Sequence, residues 1–270
     1  MGAGDAVLVT EPRPSVRRIA LNRPASLNAV NDALALRLHD ALAEAESDPL
    51  CRVVVITGAG RGFSAGLDLN GYGDAPGTSG MGQVYRDLAF QRLVASLIQR
   101  VRRLPKPVIA QVNGPAAGFG LALVCACDVR VAATTAVFAT SFIRVGASGC
   151  DLGVSWLLPR LVGAGRAHEL MLTARRFDAA EALRIGLLAD AVAPADLGSR
   201  VDGVVDGLLA AAPMSLDLTK QAMWLGLELP SLDAAIELEN RQQVLSARTA
   251  DSREARDAFR EHRSPSFTYE

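Results

Sequence analysis

Residues Arg52–Asn70 read RVVVITGAGRGFSAGLDLN, and the fold follows from how this stretch starts and how it turns. Val53-Val54-Val55-Ile56 is short, apolar and β-branched, and glycine closes it, so it reads as a strand buried on both faces. Four glycines follow within nine residues, at Gly58, Gly60, Gly62 and Gly66. Such density suits a chain that turns tightly and brings its backbone close to something else. The spacing is not that of a dinucleotide site, because Phe63 stands where that fingerprint requires glycine. A glycine-rich turn after a strand is also often only a turn.

A second stretch repeats the grammar. From Lys106 the chain reads KPVIAQVNGPAAGFGLALVCACDVRVA. A strand over Val108 to Val112 runs into a turn at Asn113-Gly114. Gly118-Phe119-Gly120 then opens an apolar helix through Leu121-Ala122-Leu123-Val124. The first N–H groups of a helix have no intrahelical partner, and its dipole favours negative charge there. Two such units can each aim one N–H at a single oxyanion, as acyl-group chemistry requires.

Four segments carry a resemblance. NRPASLNAV (Asn22 to Val30), GFSAGLDL (Gly62 to Leu69), KPVIAQVNGPAAGFG (Lys106 to Gly120) and AFREHRSPSF (Ala258 to Phe267) resemble, in order and spacing, the enoyl-CoA hydratase/isomerase or crotonase superfamily. The resemblance spans nearly the whole chain. It implies an α/β fold, a crotonase-like ββα superhelix with a C-terminal helical region, and an acyl-CoA thioester substrate. It implies a homotrimer or dimer of trimers whose tail helices make the subunit contacts and help cover the site. Carried over residue by residue, the oxyanion amides are those of Leu67 and Phe119. The coenzyme A contacts are Ser26 and Leu27 in the first segment, with Ala65, Asp68 and Leu69 on the other side. Coenzyme A enters as part of the substrate, and no separate cofactor is expected.

Composition narrows the remaining classes. The chain has 270 residues, 50% hydrophobic and 21% charged, with a net charge of −1. That is ordinary for a globular protein and points to neither nucleic acid nor a membrane surface. Of the 28 basic residues only Lys106 and Lys220 are lysines. The N-terminus, MGAGDAVLVTEPRP, reads as neither signal peptide nor membrane span, so a cytoplasmic location is expected. Cys51, Cys125, Cys127 and Cys150, with His39, His168 and His262, lack metal-ligand spacing; no metal and no disulfide are expected.

Along the chain, Ala6 to Thr10 and Val16 to Leu21 read as a hairpin across Pro12-Arg13-Pro14. Asn31 caps an amphipathic helix with Leu34, Leu38, Ala41, Leu42 and Ala45 on one face. GYGDAPGTSGMG (Gly71 to Gly82) is a low-order stretch, which the resemblance places beside the acyl pocket. A helix follows from Gln83 to Arg103. Short strands are expected at Asp128 to Ala132, Ala136 to Ala139 and Leu188 to Val192. Helices are expected at Leu152 to Val162, Gly165 to Thr173 and Asp178 to Gly186, then nearly continuously to the end. The organisation reads as a ββα core over residues 1–195 and a helical trimerisation region over 196–270.

The chemistry turns on two absences. Hydration of an enoyl thioester needs groups that handle both a proton and the attacking water. The resemblance implies two glutamates for this, and Ala122 and Phe142 stand in their places. Neither side chain exchanges a proton. Asp151, in SGCDLGVSWLLPRLVG, resembles an aspartate that other family members, dienoyl-CoA isomerases among them, use for proton transfer. Its bland reading is a carboxylate cap on the helix Leu152 to Val162. Asp68 reads as a loop-holding residue. Ser64, Ser141 and Ser148 have no neighbouring histidine in sequence, Arg144 reads as surface, and Arg260 and Arg263 read either as surface or as contacts to coenzyme A phosphates. Phe142 and Trp156 suggest a bulky apolar acyl group. Three functions stay open: a lyase or isomerase using Asp151, a non-catalytic acyl-CoA-binding protein, and a thioesterase on the same pocket.

Overall fold

The computed structural model describes residues 5–270. The strands in chain order are β1 (Val7–Arg13), β2 (Val16–Leu21), β3 (Val53–Gly58), β4 (Val108–Val112), β5 (Ala116–Ala117), β6 (Val129–Ala133), β7 (Val137–Ala139), β8 (Phe177–Asp178) and β9 (Asp190–Val192). The helices are α1 (Asp32–Ser47), α2 (Gln83–Arg103), α3 (Phe119–Ala126), α4 (Val154–Val162), α5 (Ala164–Thr173), α6 (Ala179–Arg184), α7 (Leu197–Leu209), α8 (Pro213–Gly226), α9 (Leu232–Ala247) and α10 (Ala250–Glu261). A six-stranded sheet runs in the order β1-β2-β3-β4-β6-β9, and β5-β7-β8 form a second, smaller one. Only the β1–β2 hairpin of the main sheet is antiparallel; its other pairs are parallel.

The continuous apolar run of β3 is explained by its position. Val54 and Ile56 face the large core built with α1, α2 and α3, while Val53 and Val55 face a second cluster closed by Leu197, Val201 and Val205 of α7. A parallel strand covered on both faces has no polar side to show. Each such buried side chain stabilises the fold by about 1.5–3 kcal/mol.

Local signals set the elements that hold the site. Asn31 accepts the Leu34 N–H at 3.1 Å and starts α1. The predicted face of that helix, Leu34, Leu38, Ala41, Leu42 and Ala45, is fully buried. The two lysines both serve helix ends. Lys106 Nζ donates to the carbonyls of Ala45, Glu46 and Asp48 at the end of α1. Lys220 Nζ donates to Val101 near the end of α2 and to Lys106, and pairs with Asp128 at 2.7 Å. Trp224 Nε1 donates to the same carboxylate, which docks α8 against the core.

Several boundaries differ from the sequence reading. β1 continues through Pro12 to Arg13, with a register irregularity between Thr10 and Arg13; it is an edge strand, where proline costs no ladder bond. β5 and β8 were not expected, because two-residue strands carry no periodicity. α4 begins at Val154 rather than Leu152, since Leu152 and Gly153 are left-handed (φ 47° and 77°). Gly71 to Gly82 forms no helix or strand, yet it is pinned: Tyr72 stacks on Phe90 at 4.7 Å and Thr78 donates to the Ala75 carbonyl. No helix is long and apolar enough to cross a membrane among the described residues.

Candidate active site

The glycine turn after β3 is shaped by two asparagines. A methyl group on Gly58 would stand 2.2 Å from the Gly62 carbonyl, so the turn tolerates no side chain there. Asn113, at the end of β4, accepts the Gly58 N–H through Oδ1 and donates through Nδ2 to Gly60 and Gly62. Asn28, wholly buried with φ 58°, donates to the carbonyls of Ala59 and Gly62 and accepts the Arg23 N–H. The sequence reading missed both roles. Asparagine is among the few residues that adopt this backbone region easily, which is the signal NRPASLNAV offered.

This turn orients the Leu67 amide. Val30 and Leu67 form a parallel bridge in which Val30 donates to Gly66 and accepts from Asp68. That pattern uses the groups on either side of Leu67 and turns its own N–H away from Val30. The second turn mirrors it. Ala117 donates to Ser64, Gly118 (φ 51°) donates to Ala139, and α3 then starts with Phe119 as its first residue. Among the described residues neither the Leu67 nor the Phe119 nitrogen donates a hydrogen bond within the chain. The turns touch: a methyl group on Gly118 would lie 3.6 Å from the Gly66 Cα.

Leu67 and Phe119 both line one cavity of about 190 Å³. Its wall includes Val30, Leu69, Phe90, Val94, Val145 and Leu152, and Asp151 is its only ionisable side chain among the described residues. Phe142 lines it too, with its ring edge 3.6 Å from where a Gly118 methyl would be. Ala122 is buried in α3 and does not reach the cavity. Asp151 does not cap α4 through its carboxylate. Gly153 holds the cap position, and Asp151 Oδ1 instead accepts from Leu152 N and from Gln91 Nε2.

The other sequence-selected residues divide clearly. Ala65 and Leu69 line the cavity. Asp68 lies behind it, paired with Arg23 at 2.8 Å, and that guanidinium holds its carboxyl below the usual range. Ser26 and Leu27 lie outside the cavity beside the glycine turn: Leu27 accepts the Ala65 N–H, and its side chain approaches Gly62. Trp156 does not line the pocket, as its sequence position suggested; it lies under the guanidiniums of Arg102 and Arg160. Ser64 donates to the Asn28 carbonyl and Arg144 to that of Thr173. Arg260 pairs with Asp257, and Arg263 with Glu254 and Glu261, so acids of α10 occupy both. Cys125 and Cys127 are packed away, burial pushing the Cys125 thiol up to about 12 and Cys127 further. No group of three His, Cys, Asp or Glu side chains is placed to hold a metal ion among the described residues.

With this geometry in place, similarity to known proteins is informative. The family model described as Enoyl-CoA hydratase/isomerase matches residues 11–270. A probable enoyl-CoA hydratase of Mycobacterium tuberculosis is 40% identical over 263 residues, 97% of this chain and 92% of that one. The 1,2-epoxyphenylacetyl-CoA isomerase of Escherichia coli is 36% identical over 266 residues, 97% and 98% of the two chains. The crystal structure of a probable enoyl-CoA hydratase/isomerase from Mycobacterium abscessus superposes with a TM-score of 0.90 at 37% identity, covering 97% of this chain and 98% of that one.

Proposed function

Since the chain belongs to the enoyl-CoA hydratase/isomerase family of acyl-CoA enzymes, we propose that it is an acyl-CoA isomerase with a single proton-carrying carboxylate, Asp151. What supports this reading is one cavity lined by Leu67 and Phe119, whose nitrogens donate no hydrogen bond within the chain, and by one ionisable side chain, among the described residues.

The steps follow from those groups. A 3-enoyl thioester enters with its carbonyl oxygen toward Leu67 N and Phe119 N. Asp151 takes a proton from C2, and the C–H electron pair moves into the thioester to form a dienolate. Its oxygen gains most from the two preorganised donors, each worth about 3–4 kcal/mol in sites of this kind. The protonated carboxyl then returns the proton to C4, so that the double bond moves from C3=C4 to C2=C3. Nothing is added or lost. Hydration would require a second group to hold and activate water. Phe142 offers an apolar ring at that wall, and Ala122 lies outside it. No cofactor is needed beyond the coenzyme A that the substrate carries.

The chain works as a homotrimer or dimer of trimers. α9 buries none of its residues within the chain and exposes Leu232, Ile236, Val244 and Leu245. Apolar side chains left open together on one helix mark a surface that another protein surface covers.

The test is conversion of a 3-enoyl-CoA to its 2-enoyl isomer, measured beside hydration of crotonyl-CoA. Isomerisation that Asp151→Asn reduces by at least about 10²-fold supports the reading. Hydration at the faster rate, thioester hydrolysis, or binding without turnover would each replace it.

A further inference from the structure

Asp151 reaches the cavity from the irregular segment just before α4, so something must orient its carboxylate. Two donors converge on the same oxygen, Oδ1: Leu152 N at 2.7 Å and Gln91 Nε2 at 2.5 Å. The first belongs to the next residue and travels with Asp151, so it fixes nothing relative to the cavity. The second comes from α2, sixty positions away in sequence. That helix is well anchored: Phe90 and Val94 flank Gln91 in the core, Tyr72 stacks on Phe90, and Tyr72 Oη donates to Asp87. Asp151 Oδ2 has no partner among the described residues.

We propose that Gln91 is a positioning residue that holds Asp151 Oδ1, leaving Oδ2 as the oxygen that carries the proton. This rests on the reading of Asp151 as proton carrier. The terminal torsion of an aspartate is broad, so an untethered carboxylate samples many orientations. A donor from a rigid helix, strengthened by the charge on its acceptor, selects one. The amide NH₂ can only donate, so the bond persists whether Oδ2 is ionised or protonated. The proton is thereby confined to Oδ2 throughout the cycle.

Two variants of nearly the same length as glutamine test this. Gln91→Met removes the donor, and Gln91→Glu replaces it with a carboxylate that repels Asp151. Gln91 is exposed, so both should fold with unchanged melting temperatures. Gln91→Met is expected to lower kcat for 3-enoyl-CoA isomerisation about tenfold with KM nearly unchanged, and Gln91→Glu to lower it further. A packing role would rank the two alike. Gln91→Met at full rate, or Gln91→Glu no worse than Gln91→Met, overturns the assignment while an inactive Asp151→Asn leaves the proton carrier in place. A fully active Asp151→Asn overturns both.

Discussion

Gly120→Ala probes the contact that sets the spacing of the two amides. A methyl group at Gly120 would stand 2.4 Å from the Ser64 carbonyl oxygen and 3.0 Å from its Cβ. Ordinary contact begins at 3.4 Å, so about 1 Å has to come from moving one turn away from the other. Ser64 cannot yield by rotation. It is fully buried, its nitrogen donates to Pro115, its carbonyl accepts from Ala117, and its hydroxyl donates to Asn28. Overpacking of this kind costs about 1–3 kcal/mol of stability. The kinetic effect is of similar size but is read separately, because a 1 Å misplacement of catalytic groups costs about 10²-fold. Steady-state isomerisation should therefore show kcat reduced about 10²-fold, in an enzyme whose melting temperature falls by only a few degrees. Gly207→Ala in α7 is the control: it is helical, exposed and has no heavy atom within 4 Å of the added methyl. It should leave kcat alone and add up to about 1 kcal/mol of stability. A folded Gly120→Ala enzyme with kcat within threefold of the parent would refute the claim that this contact positions the amides.

Three further outcomes are expected. Lys220→Met strands the Asp128 carboxylate, whose side chain is 5% exposed, and should cost about 3–5 kcal/mol in urea unfolding; a loss below about 1 kcal/mol would mean that Trp224 and Val108 suffice as its partners. The Arg23 hydrogen bond lowers the Asp68 pKa, so the stability it contributes is full above the unfolded value near pH 4 and is lost as pH falls through the lowered value. Stability curves of the parent and Asp68→Asn should accordingly differ at pH 7 and converge in acid, and parallel curves would contradict this. A Leu232→Glu, Leu245→Glu double variant should sediment as a monomer, since both side chains are exposed on α9; an unchanged assembly would place the subunit contact elsewhere.

Elements whose cause is local were legible along the chain. The limits of β4, the Asn31 cap and the buried face of α1 follow from signals a few residues long. So do both glycine turns, because a close backbone approach excludes side chains at particular positions. Asp151 could be picked out as an unaccompanied acid before an apolar helix. Its alternatives could not be separated there, since cap and proton carrier ask for the same residue type.

The sequence by itself showed two strands that each run into a glycine turn, the second opening a helix, and implied through its resemblance that Ala122 and Phe142 stand where hydratases place glutamates. Only the tertiary structure decided that Leu67 and Phe119 line one cavity, that Asp151 lines it too instead of capping α4, and that Trp156 lies elsewhere. It also revealed the roles of Asn28 and Asn113 and the bond from Gln91 to Asp151. The groups they donate to lie 31 to 60 positions away and, for the asparagines, are backbone carbonyls that every residue has. Short-range order is written in residue types, whereas convergence of distant groups depends on how the sheet and helices pack, which no single window of sequence contains.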